Sequence, residues 1–128
     1  MKKYLNFAFF LLWVIVIFLL CSLPSSAFPD TDIRIPHMDK IVHFGLFAIL
    51  GILFCMWKPE KSLGLSILSA TALGFIYGGI IELLQANVFE RSGDWYDLAA
   101  DTAGALCGCL CSYPYLKKFP GRSRRKRE

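Results

Sequence analysis

Glu82, Gln85, Asp97 and Asp101 stand inside or at the edge of segments that are otherwise suited only to lipid. An ionisable group at membrane depth is costly to desolvate, so by default it marks a site. The stretch from Glu82 to Gly108 leaves one long apolar segment, crosses a short polar hairpin that contains Arg91 and the turn chemistry of Ser92-Gly93-Asp94, and enters another. Upstream, Asp39, Lys40 and His43 open a further apolar run. Glu82, Asp101 and His43 are of the types that do acid–base work. By ligand type the same three suit a metal, but no paired-His spacing supports one, so neither a metal nor any other cofactor is assigned. There is no nucleophile motif, Gly-rich phosphate loop or dinucleotide fingerprint, and no catalytic residue is assigned.

The elements that must position these groups follow from composition. The chain has 128 residues, 55% hydrophobic and 19% charged, with a mean hydropathy of +0.49 and eleven Phe. A soluble domain this small leaves roughly 30–40% of its extended-chain surface exposed and could not hide so much apolar side chain. The expected fold is all-α: a polytopic membrane protein with four transmembrane helices in an antiparallel bundle, over 4–23, 39–57, 63–85 and 97–116. Residues 1–128 form one membrane domain, ending in a basic tail at 117–128. Lys2 and Lys3 before the first run and Ser25-Ser26-Ala27 after it would also fit a signal peptide. The run exceeds the usual apolar core of about 7–15 residues, which favours an uncleaved span.

Charge sets the orientation. Residues 1–3, the Lys58–Ser62 turn and the tail hold eleven Lys and Arg, whereas the other connections hold three, Arg34, Lys40 and Arg91. Both termini are therefore expected in the cytoplasm, with the tail as an anchor beside anionic lipid rather than a nucleic-acid arm. Asp39, Lys40, His43, Glu82, Gln85, Arg91, Asp97 and Asp101 then share one level, a pocket in the outer leaflet. A file of acids across the membrane is not present, which weighs against a proton path.

Spacing refines the picture. His43 follows Asp39 by four and shares its helix face. Gly74, Gly78, Glu82 and Gln85 form one stripe, and Asp97, Asp101, Gly104 and Gly108 another. Antiparallel neighbours joined by a short hairpin would bring these stripes together, and the glycines would serve internal packing or dimerisation equally. Bland roles stand beside the functional ones. Asp39 and Asp97 could cap the second and fourth helices, and Glu82, Arg91 and Asp97 could pair to tie down the hairpin. Trp57, Trp95 and Tyr96 suit interfaces. The alternating Cys107, Cys109 and Cys111 cannot converge on one metal from a single helix; with Cys21 and Cys55 they read as small apolar packing residues.

At these residues the chain resembles the VanZ-like family of small bacterial membrane proteins. Asp39-Lys40-Ile41-Val42-His43-Phe44 resembles the family's D-K-x-x-H-F opening. Glu82-x-x-Gln85, Arg91 and Asp97-x-x-x-Asp101-x-x-Gly104-x-x-x-Gly108 resemble its E-x-x-Q, R and D-x-x-x-N-x-x-G-x-x-x-G pattern. Asp101 replaces the family's usual Asn, and the Pro often seen before the Arg is missing. The family is named for a protein that raises resistance to teicoplanin, so the resemblance implies a cell-envelope role in the bacterial cytoplasmic membrane, without a defined reaction.

Two functions compete. One is a non-enzymatic envelope protein whose pocket binds the head group of a membrane lipid or lipid-linked envelope precursor, binds the polar part of another amphiphile, or docks a partner. The other is a membrane hydrolase or transferase acting on a lipid-linked substrate, with Glu82, Asp101 or His43 as acid–base groups, with or without a divalent metal.

Overall fold

The computed structural model describes residues 1–27, 37–89 and 93–118. Four long helices account for nearly all of them: α1 (Lys2–Ser22), α2 (Met38–Trp57), α3 (Leu63–Asn87) and α4 (Trp95–Lys118), with a 3-10 turn at Ser25–Ala27. The expected Arg91 position, most of the loop after α1 and the tail beyond Lys118 lie outside the described residues. Each helix matches an expected apolar segment to within two residues at either end. The first three are long and apolar enough to cross a membrane; α4 falls short of that composition.

Helix ends are set locally. Ser62 caps α3, its Oγ accepting the Leu65 N–H at 3.2 Å, which satisfies one of the orphan amides of the first turn. Asp39, one candidate cap for α2, sits inside its first turn. The cap position belongs to His37, in the left-handed region at φ 62°. Asp97 likewise lies inside the first turn of α4, because Asp94 takes the cap: its Oδ1 accepts the Tyr96 N–H at 2.9 Å.

The helices alternate in direction. Antiparallel α1 and α2 are joined by Asn6 Nδ2 donating to the Met56 carbonyl and Trp13 Nε1 donating to the Leu46 carbonyl, both at 2.9 Å. Parallel α1 and α3 are joined by Tyr77 OH donating to the Val14 carbonyl at 2.7 Å and Gln85 Nε2 to the Cys21 carbonyl at 3.1 Å. The α1 partners recur along one face, where Phe10, Ile17 and Cys21 are buried among Phe47, Leu50, Phe54 and Ile81. Phe7 and Phe10 pack on Trp57 at ring-centroid distances of 4.9 and 5.1 Å, closing the end of the bundle opposite the polar groups. Trp57 is thus largely a packing residue. The remaining faces are apolar and open: Leu12, Leu68, Phe75, Ile76 and Leu83 are all more than half exposed. Such a surface suits hydrocarbon.

The tightest partnership is between α2 and α4. Added Cβ atoms at Gly104 and Gly108 would run into the carbonyl oxygens of Phe44 and Ala48, and one at Gly51 into that of Ala105. The expected meeting of the two stripes thus holds at Asp101, which lies against Gly78, and is corrected for the α4 glycines. Gly104 and Gly108 face α2, whereas Gly74 and Gly78 of α3 lie against Ala105, Thr102 and Asp101 of α4. The α4 stripe is wide enough to touch both neighbours, one edge each.

In lipid, burial of apolar area does not drive helices together; close packing does, and small residues permit it. Gly104→Ala and Gly108→Ala should therefore destabilise the bundle by about 1–3 kcal/mol, the usual cost of overpacking. At Gly45 and Gly79 nothing lies within 4 Å of an added Cβ. Gly45→Ala and Gly79→Ala should leave the thermal midpoint in detergent unchanged or raise it slightly.

Candidate functional site

Four helix ends meet opposite the aromatic cluster: the C-terminal ends of α1 and α3 and the N-terminal ends of α2 and α4. There the polar groups form two levels. At the rim, Lys40 Nζ donates to Asp94 Oδ2 at 2.7 Å and to Asp97 Oδ1 at 3.0 Å, and lies 5.9 Å from the centre of the Tyr96 ring. Tyr96 and Trp95 are themselves exposed. One turn deeper, His43 Nδ1 and Asp101 Oδ1 share a hydrogen bond at 2.9 Å, with both side chains buried.

Each contact follows from register. Lys40 and His43 are three apart on α2, Asp97 and Asp101 four apart on α4, and the parallel helices align the two pairs. Gly78 makes room for Asp101, since an added Cβ there would stand 2.7 Å from Oδ2. Glu82 approaches from α3 and accepts the Asp94 N–H at 2.8 Å through Oε2. Ligand-type atoms of His43, Glu82 and Asp101 all fall within 4.8 Å of one another, and so do those of Asp39, His43 and Asp97.

Of the positions singled out in the sequence, Lys40, His43, Glu82, Asp97 and Asp101 thus lie together. Asp39 joins them from the exposed side of the rim. His43 takes Asp101 as its hydrogen-bond partner, across to another helix, rather than Asp39 on its own face. Gln85 faces α1 and holds the Cys21 carbonyl, away from the His43–Asp101 pair. No disulfide joins the five cysteines, and Cys55 and Cys109 are in contact and buried.

Asp94 was read as turn chemistry, yet it joins three helices. It caps α4, pairs with Lys40 of α2, and gives its amide to Glu82 of α3. The signal for it was local: an acid directly before an aromatic pair that opens a helix is an N-cap pattern.

Two carboxylate oxygens, Glu82 Oε1 and Asp101 Oδ2, are buried without a hydrogen-bond partner among the described residues. Groups of this kind are expensive unless paired. Beside this end of the bundle, Leu98, Ala99, Thr102, Ala103 and Leu106 of α4 and Phe75 of α3 line a shallow apolar groove that starts at Trp95.

Lys40 and the Tyr96 amide hold the Asp94 carboxyl below its usual range. A lowered folded-state pKa stabilises the fold above the unfolded value near 3.8 and loses that contribution as pH falls through the folded value. Asp94→Asn keeps a good cap but removes the charge. Wild type should therefore unfold at a higher temperature than Asp94→Asn at neutral pH, and thermal melts at decreasing pH should show the gap closing in the acid range.

Searches of curated proteins and of solved structures return no match. The family model for VanZ/LLP1 matches residues 7–117, which takes in all of this geometry and nearly the whole chain. The chain therefore belongs to the VanZ/LLP1 family.

Proposed function

We propose that this chain crosses the bacterial cytoplasmic membrane four times, with both termini in the cytoplasm. In this reading the polar end of the bundle lies in the outer leaflet and holds the polar part of a lipid, a lipid-linked envelope precursor or another amphiphile. The observation that carries it is the convergence of Lys40, His43, Glu82, Asp94, Asp97 and Asp101 at one end of an otherwise apolar bundle. The adjoining groove gives an acyl chain a place to lie while the head group meets the rim.

Several features support the topology. At 24 residues, α4 reaches about 36 Å, enough for a hydrocarbon core of about 30 Å. It runs parallel to α2 and packs along it. The bases fall mostly on the opposite end from the acids. An uncleaved α1 is supported by its bonds to both α2 and α3: removing it would strip Gln85 and Tyr77 of their acceptors. A fluorescent protein fused at the C-terminus should light up in cells, and alkaline phosphatase inserted at 90–92 should be active. The reverse pattern would invert the reading.

Function is tested in a teicoplanin-sensitive Gram-positive host. The chain should raise the inhibitory concentration, and Glu82→Ala of matched abundance should not. In parallel, Glu82→Gln should lose binding across a lipid panel while its melting remains cooperative. A variant that binds and protects as wild type does would refute a binding role for this end of the bundle.

The hydrolase or transferase alternative draws on one observation, the buried His43–Asp101 pair, an arrangement that orients a general base. Turnover of a lipid-linked substrate lost in His43→Gln would favour it over binding alone.

A further inference from the structure

We propose that His43, Glu82 and Asp101 form a binding site for one divalent cation of the zinc class. The inference goes beyond the binding role above and rests on the buried geometry alone. Its first support is the pair of orphaned oxygens. Glu82 is 8% and Asp101 0% exposed, and Glu82 Oε1 and Asp101 Oδ2 have no hydrogen-bond partner among the described residues. Glu82 is held by its other oxygen, Oε2, which accepts the Asp94 amide, the arrangement of a ligand oriented from behind with one donor left over. His43 Nδ1 and Asp101 Oδ1, 2.9 Å apart, already stand at the spacing of two ligands on one ion, which would take the place of the proton between them.

Distance agrees. The three ligand-type atoms lie within 4.8 Å of one another. Ligands on one tetrahedral zinc, with bonds near 2.1 Å, stand about 3.4 Å apart, so rotamer adjustments of about 1 Å close the site. The donor set, one imidazole and two carboxylates, suits zinc, and two negative charges balance its own. Three protein ligands leave a coordination position open.

The overlapping set of Asp39, His43 and Asp97 is the poorer candidate. Lys40 already occupies Asp97 and would repel a cation there, and Asp39 is exposed. A cation on the buried set also answers an electrostatic problem. Glu82 and Asp101 approach from different helices to within ligand spacing, and two buried ionised carboxylates at this range repel strongly.

The whole chain, purified in detergent and stripped with chelator, is titrated with zinc alone. One equivalent per chain should bind and raise the thermal midpoint. Glu82→Gln and Asp101→Asn, which keep side-chain shape, should each weaken binding by at least about tenfold, since even residues that only orient metal ligands cost about 10–100-fold. Cys109→Ser should bind as wild type does. Cobalt in place of zinc should give visible d–d bands without a thiolate charge-transfer band, which reads the ligands independently of any variant's stability. Failure of folded wild type to take up zinc, unchanged affinity in Glu82→Gln, or a thiolate band placing the metal on cysteine would each overturn the proposal. Because no lipid or antibiotic enters the titration, its failure leaves the lipid-binding reading to its own test.

Discussion

The structure depends on how closely α2 and α4 approach. Packed helices usually keep their axes about 8–10 Å apart, with side chains between. Here Gly104 and Gly108 press against the backbone carbonyls of Phe44 and Ala48, and Gly51 does the same to Ala105 from the other side. Short side chains can then span the gap. Aspartate has one methylene, and Asp101 reaches His43 because the backbones that carry them are drawn together over the next two turns, at Gly104 and Gly108. Lys40 and Asp97 use the same register one turn up. The glycines and the polar pairs are consecutive parts of one seam, dry at the bottom and charged at the top.

That seam explains why the polar groups collect at one end. An acid placed midway along it would meet a wall of backbone and methyl groups with no donor nearby. At the end, the first turns of α2 and α4 supply free amides and a favourable dipole for carboxylates. Asp39 and Asp97 lie in those first turns, and Asp94 takes the amide that starts α4. Glu82 sits at the C-terminal end of α3, where the dipole disfavours a negative charge, and it depends on the Asp94 amide instead. Of the two buried and half-satisfied carboxylates, Glu82 is therefore the one that the helix dipoles support least.

Much of this was legible in the chain, for definite reasons. Helix positions follow from apolar runs bounded by proline, glycine and charge, and acids stand out in such runs because few positions tolerate them. What did not follow was the choice of neighbour. A stripe such as Asp97, Asp101, Gly104 and Gly108 tells which face of α4 is special but not which helix it meets. Chain order suggested α3, the hairpin partner, yet α2 offers glycine at 51 and exposed carbonyls at 44 and 48, and takes the closer contact. For the same reason His43 was matched with Asp39 on its own face rather than with Asp101 across the seam. Asp94 was hidden by its ordinary setting, since a Ser-Gly-Asp turn has a sufficient explanation already.

The composition of α4 follows from its place between α2 and α3. The helices richest in large apolar residues, α1 above all, expose them: Phe9, Leu12, Ile15 and Leu19 are each about half open. Helix α4 spends its inner positions on Gly, Ala, Cys and Asp, where two neighbours come near, and keeps few large apolar groups outside, chiefly Leu110 and Tyr115 below the Trp95–Tyr96 pair. Hydropathy measures how much of a helix can be left facing hydrocarbon. It therefore scores lowest for the helix that others cover most, and that is the helix on which Asp97 and Asp101 can be carried. The helix with the least apolar composition is thus the one set between two close neighbours, where Asp97 and Asp101 are covered.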